Sequence, residues 1–205
     1  MKFTVKLGSI EKLQTSGLAI FLWEGEKARS SEYLWTDKAV GGFLSQVLAA
    51  EDFEGKSEKI LTFHTHGKIT PTHLFICGLG KKEDFDPLVL RKVFAQLGKK
   101  AKETKVASLG FSLNFAKETK IPLAQIAQGA TDGLILGTYK FLRYKEEEKQ
   151  KEKEIEEVVI AARVAPDLMA AKVGVLRGEI FSQATVFARD LVNEPASVTT
   201  PVYLA

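Results

Sequence analysis

The chain has 205 residues, 45% hydrophobic and 27% charged, an ordinary globular composition long enough to bury roughly 70% of its unfolded surface. Its net charge of +3 is too mild to point to nucleic acid by itself, and its single cysteine, Cys77, allows no internal disulfide and suits a reducing cytoplasm. The opening MKFTVKLGSI lacks the apolar core of a signal peptide, and no apolar run approaches the ~18 residues needed to span a membrane, so a soluble, cytoplasmic protein is expected.

Lys2 to Leu7 alternates, with Phe3, Val5 and Leu7 on one face, and reads as a half-buried strand. Leu18 to Trp23 is continuously apolar, the pattern of a strand buried on both faces. Thr36 or Asp37 can cap a helix running to about Ala50, with Val40, Phe43, Leu44, Val47 and Leu48 inward. Gly41-Gly42 weakens that helix by roughly 1 kcal/mol per residue and suits close packing against a sheet. Ser57 to His64 and Thr72 to Cys77 are two strands joined by a short turn, hence a hairpin with antiparallel pairing.

Asp86-Pro87 starts a helix by cap-plus-proline logic, with the stripe Val89, Leu90, Val93, Phe94, Leu97 and Ala101. Val106 to Leu113 is a further strand. Pro122 opens another helix, with Leu123, Ile126, Ala127, Ala130, Leu134, Gly137 and Phe141 inward. The mixed run of lysine and glutamate from Tyr144 to Glu157 reads as a solvated hairpin or helical extension, and Val158 to Ala162 as a buried strand. A long helix follows, with Val173, Leu176, Ile180, Ala184, Phe187 and Leu191 on one face, a patch that invites self-association if nothing covers it. Pro195 stops it near Glu194, and Thr200-Pro201 is a fresh helix start with only four residues after it. A piece of a longer protein is therefore expected. The alternation of strands and helices predicts an α/β domain, a mixed sheet with helices on both faces.

Candidate sites are few. His64, His66 and His73 can be drawn as a metal site on the hairpin, although no Cys, Asp or Glu joins them there and exposed turn histidines are the expectation. Gly78-Leu79-Gly80 before Lys81-Lys82 could hold a phosphate on backbone N–H groups, but it lacks both the dinucleotide and the nucleoside-triphosphate fingerprint, which favours a plain turn. Cys77, inside an apolar strand, reads as a core residue rather than a nucleophile. Lys99, Lys100, Lys102 and Lys105 fit as ordinary charges at a helix C-terminus, and only the family resemblance that follows makes them candidates for DNA contact. Arg189 and Asp190 read as surface or interdomain salt-bridging residues.

Three blocks carry a resemblance. Arg189 to Pro195 (RDLVNEP) with Thr200-Pro201 and Tyr203-Leu204-Ala205 resembles the junction of the leucyl aminopeptidase (cytosol aminopeptidase) family, where an N-terminal domain leads into a two-metal peptidase domain. Gly137 to Lys145 (GTYKFLRYK) and, more weakly, Phe75 to Lys82 (FICGLGKK) are similar to the same family in the same order. The resemblance implies a macro-domain-like α/β fold over residues 1–170, then an interdomain helix and the truncated start of the catalytic domain over 171–205. It implies that the parent is a metalloexopeptidase releasing N-terminal amino acids from peptides, with two divalent metals (zinc or manganese) in the missing catalytic domain. The partners it implies are that domain and the neighbouring subunits of a homohexamer. The family's Asn-Thr-Asp-Ala-Glu-Gly-Arg motif does not occur here. No catalytic residue, metal ligand or cofactor is therefore assigned to this chain, and its ligand-binding residues stay unknown. It is expected to be inactive alone, serving assembly or regulation. The alternative is a stand-alone macro-like module for DNA or a nucleotide such as ADP-ribose.

Overall fold

A computed structural model describes residues 1–25, 30–146, 153–200 and 203. Its strands are β1 (Lys2–Leu7), β2 (Gly17–Leu22), β3 (Ile60–His64), β4 (His73–Gly78), β5 (Ser108–Ser112) and β6 (Glu157–Ala162). Its helices are α1 (Ser31–Ala39), α2 (Phe43–Ala50), α3 (Pro87–Glu103), α4 (Leu123–Thr138) and α5 (Ala165–Asn193). The strands form one sheet in the order β1-β6-β5-β2-β4-β3. All neighbours are parallel except β3, which pairs antiparallel with β4 as the short His64–His73 connection requires.

The continuous apolar run of β2 is explained by two cores. Ala19 and Phe21 point into one, with Phe75, Phe94, Phe111, Leu134 and the inner residues of α3, α4 and α5. Leu18, Ile20 and Leu22 point into the other, under Tyr33 of α1, Val40 just after it and Leu44 of α2. Successive side chains of a strand face opposite ways, so a strand covered on both sides has no polar alternation to show. The start of α3 is as the sequence predicts: the Asp86 carboxylate accepts from the N–H groups of Leu88 and Val89 at 2.8 and 2.7 Å.

Four local expectations need correction. The helix expected from Thr36 to Ala50 is two helices. Gly41 and Gly42 sit at φ +82° and +76°, a left-handed conformation that ends α1 rather than a weak spot inside it. Ser30 caps α1, and the Asp37 carboxylate, expected as a cap, instead accepts the Ser45 N–H at 3.1 Å across the break. Phe43 and Leu7 are exposed. Residues 147–152 of the charge run lie outside the described residues.

The long helix starts at Ala165 and stops at Asn193, just before Pro195. Its contact with the domain is made by small residues. Ala171, Gly174, Val175, Gly178 and Ser182 are buried, chiefly against α4. A Cβ at Gly174 would stand 2.2 Å from the Ala124 carbonyl oxygen, and one at Gly178 would stand 2.6 Å from Thr131 Cβ. Within this seam the Ser182 hydroxyl donates to Asp132 Oδ1 at 2.8 Å. Burial raises the Asp132 carboxyl above its ordinary value, and the Ser182 hydrogen bond and the Arg91 charge partly offset that rise. The larger apolar side chains face away: Leu176 is 59% exposed and Phe187 62%.

This packing makes a prediction that inverts the usual ranking of hydrophobic and small residues. Gly174→Ala should destabilise the chain by about 1–3 kcal/mol through overpacking, whereas Leu176→Ala should stay within about 0.5 kcal/mol. Urea unfolding of the two variants measures both, and equal effects would contradict the packing described.

Candidate functional site

Two constellations combine side chains from distant parts of the sequence. The first joins two of the sequence blocks. Beyond α4, Tyr139 donates its hydroxyl to Asp190 Oδ1 at 2.6 Å, and the Arg189 guanidinium lies over the Tyr139 ring, 5.5 Å from its centroid. Four and five residues on, Arg143 and Tyr144 both bond the Glu194 carboxylate, whose side chain is 2% exposed. Those bonds hold the Glu194 carboxyl below its ordinary value, the Tyr144 hydroxyl first among them. The same bond pushes the Tyr144 hydroxyl up. Arg189 and Asp190, expected as surface or interdomain ion-pair residues, thus bond within this chain. The cluster fixes the end of α5 and the turn after it, where Tyr203 N–H donates to the Thr200 hydroxyl at 3.2 Å as a helix cap would.

The second constellation stands at the carboxyl ends of β2, β5 and β6, where a cavity of about 390 Å³ is lined by Trp23, Ser31, Glu32, Asn114, Phe115 and Arg163, among others. Glu32 occupies the first turn of α1 and is buried. Its carboxylate accepts from Ser31 Oγ at 3.1 Å, Ser112 Oγ at 3.2 Å, Arg163 Nη2 at 3.2 Å, and Asn114 Nδ2. Burial pushes the carboxyl up, but the Asn114 amide, its own backbone and the Arg163 charge outweigh it and hold the group below its ordinary value. Lys117 and Glu118 at the rim are paired with Asp167 at 3.1 Å and Lys82 at 2.5 Å. Glu32, Ser31, Ser112, Asn114 and Arg163 did not stand out in the sequence; they become one group only through the parallel sheet order.

The sequence candidates fare differently. The rings of His64 lie 4.7 Å from His66 and 5.1 Å from His73, and His64 Nδ1 accepts the His66 N–H. Among the described residues, no group of three or more His, Cys, Asp or Glu is placed to hold a metal ion. The glycine turn has no free cradle: the N–H groups of Gly78, Leu79 and Gly80 donate to the carbonyls of Lys59, Leu22 and Gly55 at 2.8, 2.8 and 3.0 Å. Gly78 is required by close approach, since a Cβ there would stand 2.1 Å from the Lys56 carbonyl oxygen. Cys77 is wholly buried on β4, and burial pushes its thiol up. Lys100 pairs with Glu103 at 2.7 Å, and Lys102 reaches the Thr138 carbonyl at 3.2 Å and Glu154 at 3.4 Å.

Comparison with known proteins bears on the whole chain. The family model described as "Cytosol aminopeptidase family, N-terminal domain" matches residues 19–148. A probable cytosol aminopeptidase of Alkaliphilus metalliredigens is 32% identical over an alignment covering 100% of this chain and 41% of that protein. The chain therefore spans about two-fifths of the length of the curated relatives it matches. Among solved structures, a mutant of tomato leucine aminopeptidase superposes with a TM-score of 0.77 at 20% identity, covering 100% of this chain and 40% of that one. A bottromycin maturation enzyme, BotP, in complex with Mn gives 0.66 at 20% identity, over 92% of this chain and 34% of its own. A Trypanosoma brucei macrodomain in complex with ADP gives 0.65 at 12% identity, over 85% of this chain and 69% of its own. At these identities the likenesses to solved structures establish the fold: an α/β domain of the macro type.

The histidine hairpin gives a pH test. Burial, then the neighbouring His64, hold His73 below the ordinary imidazole value of 6.5. The unfolded chain then takes up the proton first as the pH falls. Stability present above that ordinary value declines below it, until the folded imidazole is protonated too. His73→Gln should flatten this decline in urea midpoints measured from about pH 8 to pH 5; an unchanged slope would contradict the assignment.

Proposed function

The chain belongs to the cytosol aminopeptidase family, whose N-terminal domain it forms, and on that premise we propose that it is the non-catalytic assembly part of a metalloexopeptidase that releases amino acids from the N-termini of peptides. The observation that carries the assembly role is the bare outer face of α5. Val173, Leu176, Ile180 and Phe187 are all exposed on a helix whose inner face is already packed. A run of apolar side chains this long marks a surface meant to be covered. In this reading residues 1–170 are the domain body, and residues 171–205 carry the chain into the peptidase domain. The stripe is covered by that domain and by neighbouring subunits of a homohexamer. The cluster of Tyr139, Arg143 and Tyr144 with Asp190 and Glu194 then holds the passage between domains in one direction.

Among the described residues no group of His, Cys, Asp or Glu is placed to hold a metal ion. The two divalent metals, zinc or manganese, are proposed to lie in the relatives' remaining length, and no chemical step is assigned to this chain. No helix among the described residues is long and apolar enough to cross a membrane, and a cytoplasmic location is proposed from the family. A second reading, a module for DNA or a nucleotide, draws on the cavity at the carboxyl ends of β2, β5 and β6. Against its DNA form stand the engaged Lys100 and Lys102.

Two measurements on the 205-residue chain test this reading. It should not hydrolyse leucine p-nitroanilide with manganese or zinc present, and turnover by the pure chain would overturn the division of labour. Light scattering should show concentration-dependent self-association through α5; a monomer at every concentration would count against the stripe as a docking face.

A further inference from the structure

The cavity at the carboxyl ends of the central strands sits where the connections of the chain diverge. From β2 the connection passes to α1 on one face, and from β5 to α4 on the other, while β2 and β5 lie side by side. In open parallel sheets the two diverging connections leave a crevice outside the carboxyl ends of such strands, and ligands collect there. In this chain the crevice presents a converging set of donors: two hydroxyls, an amide and a guanidinium, from Ser31, Ser112, Asn114 and Arg163. The first turn of α1 adds the positive end of a helix. That is the donor chemistry of an oxyanion site.

We propose that this crevice is an oxyanion site whose resident ligand is the protein's own Glu32 carboxylate. The magnitudes favour the internal occupant. A group tethered even by a flexible linker competes at a millimolar effective concentration, and Glu32 is held by the first turn of a helix, so that only its side-chain rotamers remain to be ordered on binding. A free anion would also have to displace it and shed its own water. The bound carboxylate ties α1 to the ends of β5 and β6, and it bars the crevice to phosphate-bearing ligands. Removing it should leave a site for small oxyanions such as formate, acetate and inorganic phosphate. The inference does not depend on the aminopeptidase reading, since it concerns only side chains within this domain.

Chemical rescue tests it. Glu32→Ala should lower the midpoint of thermal unfolding. About 100 mM formate should raise it again by roughly 2–4 °C relative to chloride at equal ionic strength, as a ligand several-fold above its dissociation constant does. Phosphate should rescue likewise. The native chain should show no such anion-specific rise, and Glu32→Ala with Arg163→Ala should lose it. If the Glu32→Ala chain does not fold, formate or phosphate added during refolding should restore its native circular dichroism. Absence of rescue in either format would overturn the proposal. So would calorimetric binding of phosphate or ADP to the native chain at sub-millimolar affinity that Arg163→Ala abolishes.

Discussion

Gly174 and Gly178 let α5 lie so close to α4 that a methyl group at either position would meet backbone or a methine carbon well inside van der Waals contact. Glycine costs helix stability, roughly 1 kcal/mol in each place relative to alanine, so two of them on one face of a 29-residue helix need a compensating gain. The gain is an interhelical seam close enough to bury the Asp132–Ser182 hydrogen bond. The same close approach decides the other face: with the small residues turned inward, Leu176, Ile180 and Phe187 must turn outward. One side of α5 is packed on the domain and the other leaves its apolar side chains exposed.

The junction follows from that seam. Once α5 runs along α4, the end of α5 meets the segment that leaves α4. Tyr139, Arg143 and Tyr144 then reach Asp190 and Glu194, fifty or so residues away in sequence. The two blocks that most resemble the aminopeptidase family are therefore one structural unit, a bonded corner at the end of the long helix. A buried carboxylate with two donors fixes the direction in which the chain leaves α5 better than apolar contact, which is non-directional.

Much of the fold could be read from the sequence because local signals and tertiary packing agree. The continuous apolar runs of β2, β4 and β6, the Asp86-Pro87 start of α3 and the Pro195 stop of α5 each state a physical constraint that the fold satisfies. The break at Gly41-Gly42 was hidden because glycine in a helix and glycine ending one look alike without φ. In α5 the apolar periodicity identified a face, but not which face meets the domain. Hydrophobicity marks what is to be covered, while the seam with α4 is built by residues too small to register. Glu32, Ser112, Asn114 and Arg163 were illegible for a different reason. Each is an ordinary polar residue in its own segment, and only the order β6-β5-β2 brings their segments together.

The most direct measurement of the central claim, that α5 is a half-covered helix awaiting the rest of its protein, is solvent access to its outer face in two contexts. A cysteine placed at Leu176 or Phe187 can be timed against a thiol reagent in the 205-residue chain and in the full-length protein, with Cys77 silent because it is buried. The account predicts fast labelling of the monomeric chain in dilute solution and strong protection in the full-length protein. Equal, fast labelling in both would mean that nothing covers this face, and the assembly role built on it would fall.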